Sequence, residues 1–241
     1  MYQEILFPLI KRLIDLIASV LLIILLLPLI IIISIIIFIE TGKSPLFIQR
    51  RSISLNSKQF NIYKFRTFKE DDNSKTTGPD ILYKPHLEDK ISAFGKFLRK
   101  TGLDEIPQLI NILKGEMSLV GPRPLSLDDL REIARRFPEY HYRRSLIKSK
   151  PGLTGFWQTS KDENFEVEYL LFMDEYYDRE KCFTLDFFII VNTLRVLFFA
   201  KHKDGIITGE IEPDRLKNFA FYTGLSVILL FVIVITIINL L

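Results

Sequence analysis

The sequence predicts an α+β protein: a mainly helical, membrane-associated domain with a small β-hairpin or sheet. Three observations predict it. Leu16 to Ile39 and Asn218 to Leu241 are each 24 residues without a charge, one near either end of a 241-residue chain. The charged residues are 25% of the total, and all but Glu4, Lys11, Arg12 and Asp15 lie in the stretch between them. Within that stretch, apolar residues recur mostly at helical spacing, with two short alternating segments near its start.

The first apolar run comes first in the chain. A helix of 24 residues spans roughly 36 Å, enough for a hydrocarbon core of about 30 Å. The run is longer than the apolar core of a secretory signal, and no small-residue cleavage site follows it. Pro28 lies near its middle, where a missing amide donor and a clash with the preceding turn predict a kink. Lys11 and Arg12 precede the run, and Lys43, Arg50 and Arg51 follow it. Cations mark the cytoplasmic side, so both ends are expected there. A re-entrant helix broken at Pro28 meets that condition, whereas a straight crossing does not. From Glu40 to Lys69 there are seven Lys or Arg and one acid. Such a block suits anionic lipid heads or phosphates and also works as a topology marker.

The expected organisation is a re-entrant hairpin over 1–39, a catalytic domain facing the cytoplasm with interfacial helices over 40–205, a linker over 206–217 and a transmembrane anchor over 218–241. Pro45 to Ile48 and Phe60 to Phe65 read as strands around a turn, and Glu70 to Lys84 as a loop. Helices are predicted over Ile91–Arg99, Glu105–Lys114, Leu127–Phe137, Phe165–Tyr177 and Leu185–Phe199, with a turn at Pro151–Thr154. The Leu185–Phe199 segment fits an interfacial helix or a core helix equally.

Several function classes lose support at once. Cys182 is the single cysteine, so neither a disulfide framework nor a cysteine metal site is available. His86, His141 and His202 stand in no ligand spacing. No phosphate-binding P-loop, dinucleotide fingerprint or nucleophile elbow is present. A net charge of +3, with its basic block beside a membrane segment, does not suggest nucleic acid.

The chemistry centres on Leu98 to Pro124. Asp104 and Glu105 fall at a helix start, with Pro107 in the first turn. Taken alone, the pair reads most simply as a cap and dipole complement. A helix start also favours the ionised forms, and an ionised carboxylate can attack phosphorus or hold a hard cation such as Mg²⁺. Arg99 lies five residues before Asp104. Arg123 is framed by Pro122 and Pro124, which restrict its backbone, and a guanidinium suits bidentate phosphate contact. Lys64 and Arg66 add two cations after a strand.

These segments, taken in order, resemble the bacterial sugar transferases of the monotopic phosphoglycosyltransferase type. The motifs are Lys11-Arg12 with Asp15; Gln49-Arg-Arg51; Tyr63-Lys-Phe-Arg-Thr67; Phe94-Gly-Lys-Phe-Leu-Arg-Lys100; Leu103-Asp-Glu-Ile-Pro-Gln-Leu109; Lys114-Gly-Glu-Met-Ser-Leu-Val-Gly-Pro-Arg-Pro124; and Lys150-Pro-Gly-Leu-Thr-Gly-Phe-Trp-Gln158. The resemblance spans about residues 9–205. It implies transfer of a sugar 1-phosphate from a UDP-sugar donor to a polyprenol phosphate acceptor, with release of UMP. It implies that Asp104 is the nucleophile of a covalent phosphosugar intermediate, that Glu105 helps hold Mg²⁺ and that Arg123 contacts the donor. It also implies a first helix broken at Pro28, seated in the bacterial inner membrane among its lipids, and a role in starting a glycan such as a capsule, exopolysaccharide, O-antigen or glycoprotein. Two departures stand out. Leu27 replaces the serine common before the membrane proline. Ser160-Lys-Asp-Glu-Asn164 replaces the usual Gly-Arg pair, which bears on sugar recognition. Two rivals stay open: a sequential enzyme in which Asp104 is a general base, and a non-catalytic lipid-binding or assembly protein. The transferred sugar is open too, as is oligomeric state, a homo-oligomer included.

Overall fold

A computed structural model describes residues 6–69, 90–159 and 167–198. The expected loop at Glu70–Lys84, the Ser160–Asn164 departure, the 206–217 linker and the C-terminal apolar run lie outside the described residues. The described part is mostly helical with a small sheet, as the apolar spacing predicts.

Helix α1, Phe7–Thr41, has 35 residues and ends at Gly42, whose φ of 67° is left-handed and whose N–H closes on the Phe38 carbonyl. At 1.5 Å per residue it is about 52 Å long. Helical geometry continues through Pro28. Only 11% of its most apolar stretch is buried, which separates it from the core helix of a soluble protein. The buried residues form one stripe: Phe7, Asp15, Ser19, Ile33 and Ile37, joined by Leu22, Ile23, Leu29 and Ile30 against the cores. Leu9, Leu13, Ile17, Leu21, Ile24, Leu25, Ile35 and Ile39 are all more than half exposed on the other faces. The helix is therefore docked on the domain along its whole length, and its outer apolar surface is the membrane-associated face.

Strand β1, Leu46–Ser52, pairs antiparallel with β2, Phe60–Phe65, from Leu46↔Phe65 to Arg51↔Phe60. β1 runs four residues past the expected end at Ile48, because its last residues pair on the other edge with β4, Leu125–Ser126. The sheet order is β2-β1-β4. A second, parallel pair joins β3, Ser118–Val120, to β5, Gly152–Thr154. A Cβ on Gly121 would stand 2.2 Å from the Lys150 carbonyl oxygen, and one on Gly152 would stand 2.1 Å from the Gly121 nitrogen. Only glycines let these two backbones meet. β5 takes the place of the expected Pro151–Thr154 turn.

Helix α2, Ala93–Thr101, is capped by Ser92, whose hydroxyl accepts from the Gly95 N–H. α3 is short, Leu109–Leu113, because the first half of the predicted Glu105–Lys114 helix is a 3-10 helix over Leu103–Gln108. α4, Leu127–Arg136, is capped by Ser126 and followed by α5, Pro138–Ser145, which periodicity did not predict. α6, Phe156–Thr159, leads to α7, Val167–Glu180, and α8, Phe183–Phe198. On α8, Ile189 is fully buried while Phe187 and Leu194 are more than half exposed, so one helix serves both as core and as surface.

Asn111 ties α3 to the hairpin. It is fully buried; its Oδ1 accepts from the Tyr63 N–H at 3.1 Å, and its Nδ2 donates to the Asn61 carbonyl at 2.6 Å and to Glu116 Oε2 at 2.7 Å. Replacing Asn111 with Ala orphans those partners, and each orphaned buried group costs about 1–3 kcal/mol. Asn111→Ala should lower the denaturant midpoint, followed by Trp157 fluorescence, by the equivalent of at least about 2 kcal/mol. An unchanged midpoint would remove this tie from the account.

Candidate active site

Gly102, with φ 67°, ends α2 and starts the 3-10 helix that carries Asp104 and Glu105. A left-handed residue turns the chain sharply here, and glycine adopts it without strain. Neither carboxylate caps a helix, since the cap position is Gly102 itself and no side chain bonds there. The cap half of the simplest sequence reading is thereby removed, while both acids do stand in the first turn of the 3-10 helix. Both are buried, Asp104 at 2% and Glu105 at 7% exposure. Two adjacent buried acids need positive compensation. Lys64 at the end of β2 provides it, its ammonium 2.8 Å from Glu105 Oε1 and 3.9 Å from Asp104 Oδ2.

A small open cleft lies beside this group. Lys64, Glu105, Arg123 and Pro124 line it, together with Arg51, Gln108, Gly152, Leu153 and Trp157. The structure thus brings together cations and carboxylates from β1, β2, the 3-10 helix and the Pro122–Pro124 segment, up to 72 residues apart in sequence. Asp104 sits immediately beside Glu105, under the Lys64 ammonium.

The Pro122-Arg123-Pro124 segment is fixed at almost every backbone group. The Pro122 carbonyl accepts from the Gly152 N–H at 2.9 Å. The Arg123 N–H donates to Asp174 Oδ1 at 3.2 Å, and its carbonyl accepts from Arg144. The Pro124 carbonyl accepts weakly from Arg51 at 3.4 Å. The Arg123 guanidinium itself lies 3.6 Å from the centre of the Trp157 ring, a stacked cation–π contact. Arg51 is oriented in turn by Gln49, whose Oε1 accepts from two of its nitrogens.

Arg144 is the hub behind this segment. It is 2% exposed and reaches three partners: the Ile53 carbonyl at the end of β1, the Arg123 carbonyl, and Asp174 Oδ2 at 2.6 Å. Burial pushes the Asp174 carboxyl up, and the Arg144 guanidinium pulls against that. No spacing rule marks Arg144 or Asp174, because they become partners only through the packing of α5 on α7. Arg51, Gln108 and Trp157 were readable only as members of the ordered motifs.

The other two expected cations stand elsewhere. The Arg66 Nε donates to the Ser44 carbonyl at 2.9 Å. The Arg99 Nε donates to Thr67 Oγ1 at 3.0 Å, with its guanidinium over Phe68. Neither lines the cleft. Arg66 lies one residue past the end of β2, where the chain has left the strand, and Arg99 faces the β2 exit from the last turn of α2.

The membrane helix bonds to three elements that support the site, α3, β3 and α8. Arg12 donates to the Ile112 and Leu113 carbonyls at 2.6 and 3.0 Å, closing the C-terminus of α3. Asp15 Oδ1 accepts from the Leu119 N–H of β3 at 3.0 Å. Lys11 pairs with Asp186 of α8 at 2.5 Å, and Asp186 accepts from the Tyr177 hydroxyl, which also lies 3.1 Å from the Val120 carbonyl.

A family model described as bacterial sugar transferase matches residues 6–200. The chain belongs to the bacterial sugar transferase family. It is 35% identical over 212 residues to the uncharacterized sugar transferase EpsL of Bacillus subtilis, covering 87% of this chain and 96% of that protein. It is 31% identical over 199 residues to the UDP-N-acetylgalactosamine-undecaprenyl-phosphate N-acetylgalactosaminephosphotransferase of Aeromonas hydrophila, covering 80% of this chain and 44% of that one. It is 37% identical over 148 residues to the UDP-glucose:undecaprenyl-phosphate glucose-1-phosphate transferase of Caulobacter vibrioides, covering 61% of this chain and 52% of that one. The chain therefore spans only about half the length of these last two relatives.

Arg144→Lys keeps the charge but cannot hold three divergent partners. It should destabilise the protein by roughly 2–4 kcal/mol, since it strands part of a buried pair. Urea unfolding measures this; a variant as stable as the parent would contradict the hub.

Proposed function

We propose that this family member transfers a sugar 1-phosphate from a UDP-sugar to undecaprenyl or a similar polyprenol phosphate, releasing UMP, and so starts a membrane-bound glycan. The observation that carries the reading is the buried Asp104–Glu105 pair under Lys64, beside a cleft that also presents Arg51 and Arg123. The names of the Aeromonas and Caulobacter relatives support the substrate classes.

Arg123 and Arg51 would take the diphosphate, with the Arg123 guanidinium held against the Trp157 ring. Lys64 exchanges the carboxylates for an incoming phosphate oxygen, which uncovers Asp104. An Asp104 carboxylate oxygen then attacks the sugar-linked phosphorus. A new bond forms between that oxygen and phosphorus, the bond to the UMP oxygen breaks, and UMP leaves with the electron pair. The acceptor phosphate oxygen attacks the same phosphorus in the second half, and Asp104 leaves as carboxylate. Retaining the charge of a diphosphate next to two acids requires the cations to act at once, and this is electrostatic stabilisation of the usual kind.

Mg²⁺ fits the donor set here. Two adjacent carboxylates are enough for an ion that completes its shell with water and substrate phosphates, although no group of three or more acidic, His or Cys ligands occurs among the described residues. Glu105 would hold it, leaving Asp104 to attack. When bound, the ion neutralises charge on the diphosphate.

Re-entrant placement of α1 is part of the proposal. Docking of the helix on one domain from Phe7 to Ile37 supports it, because a straight crossing would carry half of α1 away from that domain. Both ends then lie on the cytoplasmic side of the inner membrane, and the cleft sits near the depth of the acceptor's phosphate. The C-terminal run after Asn218 would add a crossing anchor.

Purified protein with Mg²⁺, polyprenol phosphate and a panel of UDP-sugars should release UMP with at least one donor; release with none would defeat the enzyme reading. Asp104→Asn should cut release roughly a thousandfold or more while membrane insertion is retained. Near-normal turnover would remove Asp104 as nucleophile. Glu105→Gln should raise the Mg²⁺ concentration needed for half-maximal rate, and an unchanged titration would count against its ligand role. Arg123→Ala should lower kcat/KM about a hundredfold; a drop of less than a few fold would place Arg123 outside the site.

A further inference from the structure

A second cationic group lies at the opposite end of α3 from the carboxylates. Gly115 follows α3 with φ 79°. A Cβ built there would stand 3.3 Å from Arg12 Nη2 and 3.8 Å from Lys150 Nζ. Two cationic heads from α1 and from the approach to β5 therefore flank one point on the backbone, and glycine leaves the space between them open. Lys58, in the β1–β2 connection, is close enough to repel Lys150. Burial first, and then Arg12 and Lys58, hold the Lys150 ammonium below its ordinary range, with Asp15 opposing. Asp15 has its Oδ1 engaged by the Leu119 N–H. Among the described residues, none of the three cations forms an ion pair with a carboxylate. Arg12 spends two donors on the α3 carbonyls, which leaves part of its fork for another acceptor.

We infer that Arg12, Lys150 and Lys58 bind the phosphate headgroup of an anionic phospholipid at the edge of the membrane-embedded face. Asp15 is the one acid that acts on Lys150, and its Oδ1 is already engaged by the Leu119 N–H, so the gathered like charges are relieved further by an anion. Arg12 sits within one helical turn of Leu9 and Leu13, which are 65% and 57% exposed on the outer face of α1. A headgroup between the cations thus has its acyl chains running against apolar side chains, which a free soluble anion cannot exploit. Asp104 lies near the start of the 3-10 helix and Gly115 beyond the far end of α3, up to roughly 18 Å along the axis, and neither Arg12, Lys58 nor Lys150 lines the cleft. This site is separate from the transfer chemistry. By way of Arg12 it ties the lipid to the C-terminus of the helix that follows the carboxylates.

The full chain, reconstituted in nanodiscs of mixed phosphatidylglycerol and phosphatidylcholine and then extracted in mild neutral detergent, tests this without reference to turnover. Mass spectrometry of the co-purifying lipid should show phosphatidylglycerol enriched over its input fraction. Lys150→Glu should lower that enrichment roughly tenfold, Lys150→Arg should restore it, and Lys96→Glu on exposed α2 should leave it unchanged. Equal retention of both lipids by the parent, or an equal loss in Lys96→Glu, overturns the site. Displacement of the lipid by inorganic phosphate, or by a short-chain polyprenyl phosphate, also overturns it in favour of a free anion or of the acceptor. Since no step reads UMP, failure here is distinct from failure of the transferase reading.

Discussion

Everything in the site depends on a polar inner end to a helix that is otherwise made for lipid. Three consecutive turns of α1 carry Lys11, Arg12, Asp15 and Ser19 on the docked side, while Leu9, Leu13 and Ile17 face outward. Each polar side chain takes a different element: Lys11 takes α8, Arg12 closes α3 and Asp15 holds β3. α3 continues the 3-10 helix of Asp104 and Glu105, and β3 leads directly into Gly121-Pro-Arg-Pro124. A membrane anchor that merely tethered the domain would need none of these contacts. Here the anchor forms one wall of the structure that positions the carboxylates and Arg123.

The second constraint is the placement of Arg123. Prolines on both sides narrow its backbone, but they do not say where that backbone lies. The glycine-only approach of Gly121 to Gly152 sets one side, and the Arg144–Asp174 pair sets the other. A buried ion pair contributes little net stability but is costly to break. Its value here is geometric, since Arg144 also holds the Ile53 and Arg123 carbonyls. The outcome is a cleft in which Arg51 and Arg123 are fixed before any ligand arrives, which lowers the ordering cost of binding.

What could be read from the sequence follows from how local each signal is. The long apolar run, the hairpin strand Phe60–Phe65 and most helices declared themselves by periodicity, because each buries one face. The pairs β3–β5 and β1–β4 did not, since strands of two or three residues have no period to detect. The Asp104–Glu105 pair looked like a helix cap, and became a buried pair only once Gly102 turned the chain and Lys64 arrived from β2. Lys64 and Arg123 were expected at the site and line the cleft; Arg66 and Arg99 were expected too, but are spent on Ser44 and Thr67. Charge type alone cannot tell a phosphate-binding arginine from one that holds a neighbouring loop. Arg144 and Asp174 had no local signal at all, as their meaning comes from α5 packing on α7.

The central claim is that Asp104 itself takes the phosphosugar. Incubating the full-length protein with Mg²⁺ and an accepted UDP-sugar, with no acceptor present, measures this most directly. The account predicts stoichiometric UMP release, with a phosphosugar mass added to the peptide containing Asp104, and loss of that mass when polyprenol phosphate is supplied. UMP release that requires both substrates together, with no adduct at any time, would contradict it and leave Asp104 as a general base in a single displacement.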